Sequence, residues 1–315
     1  MSTQQFQGKV EMNDDLEVKG NLTLKGRLKR ETPRTLLKWN YTNCSPPVVS
    51  EAGLGDAAGV LSAGQILGLS FPDTNGNYRP SQMTLVGSFT TTGMIPQQEG
   101  AQIAADTAST AAGLNVQLDA ESSDNCGMQW SNGNDVAGSN SNSFTVGTHS
   151  GHIDVTLWTS DVSDYDCAVV GFRKVEAHQS SLGTTIAAGT GDPGYSDIFL
   201  AGIIGNARKI QSVNAANGDT TCQVVDTTDV GVNSQNLRVK VSLAKSGAAS
   251  FQYEINGVAG GGTLQDPSDG THTFSFDSGD VLVPILVTQK AGAADVELLI
   301  KDIEIVRSPG VDYQD

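Results

Sequence analysis

Five stretches decide the fold: NLRVKVSL (236–243), SFQYEI (250–255), FSF (274–276), VLVPILV (281–287) and DVELLIKDIEIV (295–306). In the first four, apolar residues return at every second position, as in Leu237, Val239, Val241 and Leu243. A strand with one buried face and one wet face requires that period. The same order of elements occurs upstream: Leu114, Val116 and Leu118, then Met128 and Trp130, then Phe144 and Val146. Ile153, Val155 and Leu157 follow Gly151, and a last run extends from Tyr165 to Val175. Short words match as well: GMQWSNG (127–133) with SFQYEING (250–257), SGHIDVTLW (150–158) with SGDVLVPIL (278–286), and GFRKVEA (171–177) with KDIEIVR (301–307). The spacing predicts an all-β protein whose body is two tandem copies of one strand-and-turn unit.

Working outward, 315 residues suffice for two cores of ordinary size plus an appendage. The predicted boundaries are an N-terminal β arm at 1–34, a first β-sandwich at 35–178 and a second at 179–315. Gly is abundant and aromatics are sparse, the composition of short strands joined by many turns. No apolar run approaches the roughly 20 residues that span a bilayer, and residues 1–20 are polar. The expectation is a chain with no membrane partner and no secretion signal, made in the cytoplasm.

The net charge of −16 is uneven: residues 1–43 hold eight Lys and Arg against five Asp and Glu, so the rest of the chain carries −19. An acidic body repels nucleic acid, while a basic head suits an acidic surface. Cys44, Cys126, Cys167 and Cys222 occur singly, with no C-x-x-C. Buried thiols are the expected state and a Cys126–Cys167 pair is the alternative.

Catalytic and metal-binding patterns are missing. His149, His152, His178 and His272 sit at no spacing that joins them to other ligands on a helix, and turn histidines are expected. Asp73–Asn77 (DTNGN) lacks the glutamate of a calcium loop. GLGDAAG (53–59) and GTGDPG (189–194) lack the lysine and helix of a phosphate cradle, and G-x-S-x-G is absent. Acidic pairs such as Asp161 with Asp164 and Asp277 with Asp280 make no hydrolase without a cleft. The reading is a non-enzyme with no cofactor and no metal. Trp130 and Tyr253 occupy equivalent places in the two copies, as core residues do, whereas Trp158 follows Leu157 and is the candidate surface aromatic for a glycan.

Residues 1–30 carry a second pattern. Leu16, Val18, Leu22, Leu24 and Leu28 share one phase in LEVKGNLTLKGRLK, with Lys25, Arg27, Lys29 and Arg30 among them. Such a ribbon has one thin apolar edge and must add to another sheet or wind with copies of itself. Its apolar-x-Gly-Asn-x-Thr wording resembles the short trimeric β-stalks at the attachment ends of bacteriophage fibres and related virion proteins. Each body copy, with its YEING-like middle and closing DIEIV strand, resembles the jelly roll of carbohydrate-binding modules and galactose-binding-like domains.

These resemblances imply a virion component, in first place a capsid decoration or cement protein. It would be a homotrimer attached through the nine arm residues to the major capsid protein or another virion protein. The alternatives are a receptor-binding tail fibre or spike that reads a host glycan, and a cellular pair of carbohydrate-binding modules.

Overall fold

A computed structural model describes residues 33–40, 48–50, 66–72, 78–86, 96–99, 113–117, 127–131, 143–176, 186, 193–205, 209–216, 221–260, 274–291 and 297–308. The chain divides into two compact units, Met1–Glu31 and Thr32–Asp315. The arm residues Leu16, Val18, Leu22, Leu24, Lys25, Arg27, Leu28, Lys29 and Arg30 lie outside the described residues, as do Asp73–Asn77, Cys44, Cys126, His178 and His272.

In the first half the strands are β1 (Arg34–Asn40), β2 (Val48–Ser50), β3 (Ile66–Pro72), β4 (Tyr78–Val86), β5 (Pro96–Glu99), β6 (Gly113–Gln117), β7 (Gly127–Ser131), β8 (Phe144–Thr145), β9 (Ser150–Thr159) and β10 (Tyr165–Lys174). The second half contributes β11 (Ile198–Ile204), β12 (Lys209–Ala215), β13 (Gln223–Val230), β14 (Asn236–Leu243), β15 (Ala248–Ile255), β16 (Val258–Ala259), β17 (Phe274–Ser275), β18 (Val281–Lys290) and β19 (Glu297–Ser308). They form two antiparallel sheets. The first runs β16-β15-β14-β9-β19-β6-β5, with β1 on β19 and β17 on β15. The second runs β13-β12-β11-β10-β18-β7-β4-β3-β2, with β8 on β18.

The all-β sandwich expected from the alternation is therefore present, but the division at 178/179 into two separate sandwiches is corrected. Both sheets draw strands from both copies. Among its crossings, the chain passes from the first sheet to the second between β9 and β10 and from the second to the first between β18 and β19. Of the matched strands, β7 and β15, β9 and β18, and β10 and β19 lie in opposite sheets, whereas β6 and β14 both lie in the first. Each half of the chain supplies one strand to each of two central ladders: β9 pairs with β19, and β10 with β18.

The main core lies between the sheets. Ile153, Val155 and Leu157 of β9, Val239 and Val241 of β14, and Ile303 and Ile305 of β19 meet Val170, Phe172, Phe199 and Leu286 from the second sheet. Leu298 and Ile300 point into the same core although their phase differs by one from Ile303 and Ile305. A bulge between Ile300 and Asp302 absorbs the extra residue, as bulges do.

Strict alternation fails on the second sheet, where all seven residues of β11 are buried. A second apolar cluster joins Val169, Leu200, Val213, Val283, Ile285 and Val287 to Ile186 and Tyr195 from the segment linking β10 to β11. A sheet covered on both faces reads as a continuous apolar run rather than an alternating one. The ends of that linking segment are clasped. Glu176 accepts hydrogen bonds from Ser196 N at 2.8 Å and from Ser196 Oγ, and Lys174 Nζ reaches Asp197 at 3.1 Å and Asp280 at 2.7 Å. Hydrogen bonding to Asp280 holds the Lys174 ammonium above the ordinary lysine range despite partial burial. Buried Arg173 lies 4.7 Å over the Tyr195 ring and donates to the carbonyls of Lys174 and Glu176.

Close packing of β10 on β11 depends on Gly202, where a Cβ would stand 2.2 Å from the carbonyl oxygen of Ala168. The β15–β16 hairpin turns through Asn256 and Gly257, both at positive φ, the pair that a two-residue turn of this kind favours.

If the copies share one sandwich, neither half folds alone. Residues 32–178 and 179–315, produced separately, are expected to show no cooperative urea transition by circular dichroism, whereas residues 32–315 show one. A cooperative melt of either half would refute the shared architecture.

Candidate functional site

Because β9, β14 and β19 turn their apolar residues toward the core, their polar residues line the opposite face of the first sheet. Register then sets them in rows across five strands. One row runs Asn40, Asp302, Thr156, Arg238, Glu254, and the next runs Lys38, Glu304, Asp154, Lys240, Gln252. His152 and Ser242 continue the face beside them.

The rows are braced by their own contacts. Arg238 grips Asp154 with two hydrogen bonds, Nε to Oδ1 at 2.9 Å and Nη2 to Oδ2 at 2.7 Å, and reaches Glu254 with Nη1 at 3.1 Å. Lys38 Nζ donates to Glu304 at 3.0 Å, and the Asn40 amide donates to Asp302. Hydrogen bonding to Asp154 raises the Arg238 guanidinium above its ordinary value, and the Glu304 contact does the same for Lys38. The exposed Lys38–Glu304 pair adds little stability, whereas Asp154, only 6% exposed, depends on Arg238 to compensate its charge. Both pairs fix side chains that would otherwise sample many rotamers.

Two hollows flank Arg238. One, of about 380 Å³, is lined by Lys38, Asn40, Asp154, Thr156, Asp302 and Glu304. The other, of about 450 Å³, is lined by Lys240, Phe251, Gln252, Tyr253, Glu254 and Gly260. Three cations (Lys38, Arg238, Lys240) face four carboxylates (Asp154, Glu254, Asp302, Glu304), so the face is close to neutral on a chain of net charge −16. His152, beside Lys240, is held below the ordinary histidine value of 6.5, first by burial and then by that lysine.

Trp158, the expected surface aromatic, is only 6% exposed and is corrected to a packing residue. It stands in register with Asn236 of β14 and Leu299 of β19, and with Leu299 it forms a small apolar cluster. The void nearest to it, lined also by Val162, Gly231, Val232 and Leu298, measures about 10 Å³, room for about one water molecule. Trp130 and Tyr253 are core residues as expected, at 2% and 8% exposure, and Tyr253 donates to Asp229 at 2.6 Å. His149 is a turn histidine whose Nδ1 accepts from Thr145 N. The acidic pairs serve local structure. Asp161 caps the short 3-10 turn Val162–Asp164, and Asp280 accepts from Asp277 N. Cys167 is a buried free thiol that burial pushes well above its ordinary value, and Cys222 is also buried. Among the described residues no group of three or more His, Cys, Asp and Glu is arranged to hold a metal ion, and no helix is long and apolar enough to cross a membrane.

Sequence reasoning missed the polar rows. Their members were visible as the wet half of the alternation, but only register shows which strand lies beside which.

No protein family profile matches the chain, and no curated protein matches it. Solved structures with a similar fold include a legume lectin-like domain from Entamoeba histolytica, with a TM-score of 0.41 and 6% identity over 71% of this chain and 88% of that one. A protein of unknown function from Shewanella oneidensis gives a TM-score of 0.41 and 10% identity, covering 83% and 92% of the two chains. Peanut lectin gives 0.35 and 11%, covering 73% and 99%. At these TM-scores the likeness carries no argument about function.

Two measurements check this description. Trp158→Ala is expected to cost about 3–5 kcal/mol in urea melts, the penalty of deleting a buried tryptophan rather than a ligand contact. His152 is expected to titrate below 6.5 by NMR. Lys240→Gln should move that midpoint upward without reaching 6.5, because burial is the larger cause. Since the folded state disfavours the proton, the contribution of neutral His152 is present above the unfolded value and is lost as pH falls from it through the lowered folded value.

Proposed function

We propose that this chain is a non-catalytic carbohydrate-binding β-sandwich whose ligand lies on the polar rows of the first sheet. The observation that carries the reading is the braced, nearly neutral array of donors and acceptors over the two hollows beside Arg238. Sugar hydroxyls both donate and accept, so they suit a surface that offers carboxylate, amide, hydroxyl and guanidinium groups at fixed spacing. Side chains already held by ion pairs lose little further rotamer freedom when a ligand arrives. A near-neutral face on an acidic chain neither repels an uncharged polyol nor steers a polyanion toward itself. Phe251, partly buried and stacked on the core residue Tyr253 with ring centroids 6.0 Å apart, adds apolar surface to the second hollow for sugar C–H groups.

Attachment of residues 16–30 to a capsid or another virion protein, a trimeric state and a virion location are separate proposals. They rest on residues outside the described ones, and the glycan reading does not need them.

A glycan array probed with the full-length protein tests the reading. Thr156→Ala and Gln252→Ala should each weaken binding several-fold to about tenfold, the loss of one hydrogen bond, with the melting temperature unchanged. Failure of the intact protein to bind any glycan, or binding indifferent to both substitutions, would overturn it.

A further inference from the structure

We infer that the ligand is an uncharged, extended oligosaccharide of about four units laid across the strands from β1 to β15, with Arg238 marking the divide between two subsites. This rests on the carbohydrate reading above and specifies the substrate class.

The direction follows from geometry. The rows cross β1, β19, β9, β14 and β15 at right angles to the strands. Neighbouring strands lie about 4.8 Å apart, so five strands span about 19 Å. An extended pyranoside chain advances by close to one strand spacing per unit, which keeps successive sugars in step with successive strands. Along a single strand the same-face repeat is about 6.8 Å, and that match is lost. The two hollows lie at opposite ends of the rows. Lys38, Asn40 and Asp302 line the β1 end, and Gln252, Glu254 and Gly260 line the β15 end. Arg238 belongs to both.

The charge preference follows from the pairing. Lys38 is held by Glu304, and Arg238 by Asp154 and Glu254 together. In the first hollow a uronate or sulfate would have to break those pairs and would then meet Asp302 and Glu304, and in the second it would meet Glu254 together with Lys240. An uncharged sugar bonds to the pairs as they stand.

Isothermal titration of the full-length protein with neutral linear oligosaccharides of increasing length, alongside their uronic-acid counterparts, tests the inference. Binding should tighten several-fold with each added unit up to about four and then level off, and the acidic series should bind more weakly at every length. Lys38→Ala and Gln252→Ala, at opposite ends of the rows and both on the protein surface, should each shorten the length at which affinity levels off. A single sugar unit that binds as tightly as the longer chains, or a preference for the acidic series, overturns this inference and leaves the carbohydrate reading standing. Absence of binding to every sugar overturns both.

Discussion

Two antiparallel ladders, β9 on β19 and β10 on β18, hold the molecule together, and each joins a strand from one sequence copy to a strand from the other. Their hydrogen bonds satisfy the backbone of the four longest strands, and removal of either copy would leave a buried edge of unpaired N–H and C=O groups. Unpaired groups of that kind are costly in a buried setting. The result is one sandwich whose two halves of the chain exchange strands and depend on each other. The crossing between sheets occurs at equivalent places in both copies, between β9 and β10 and between β18 and β19.

The sheets differ in what covers their outer faces. The second sheet is buried on both faces at β10, β11 and β18, where Ile186 and Tyr195 of the β10–β11 connection pack, clasped by Lys174, Asp197 and Asp280. The first sheet keeps one wet face across β1, β19, β9, β14 and β15, and there the charged side chains pair with one another. A recognition surface needs exposure together with order. Exposure comes from the polar side chains those rows turn outward, and order comes from ion pairs that constrain their rotamers.

Much of the fold was legible in the amino-acid order. The period-two runs at 237–243 and 153–157 mark strands with one buried face, and the structure buries Leu237, Val239, Val241, Ile153, Val155 and Leu157 in the main core. The equivalence of Trp130 and Tyr253 marked both as core residues. Trp158 was misread because alternation identifies the face opposite Leu157 without showing whether that face is covered, and Leu299 lies beside it in register. The partition into two sandwiches failed for a related reason. Local pattern shows that strands repeat, but it does not show which sheet each one joins.

The amino-acid sequence alone determined the all-β class, the strands with strict alternation such as 237–243 and 153–157, and the acidic charge of the body. All of these depend on neighbours a few residues apart or on simple counting. Only the tertiary structure decided that both halves share each sheet, that β10, β11 and β18 are buried on both faces, and that Lys38, Asp154, Arg238, Glu254 and Glu304 stand together on one surface. Strand pairing joins residues such as Lys38 and Glu304, 266 positions apart, and a shift of one residue in register would have sent every one of those side chains to the opposite face.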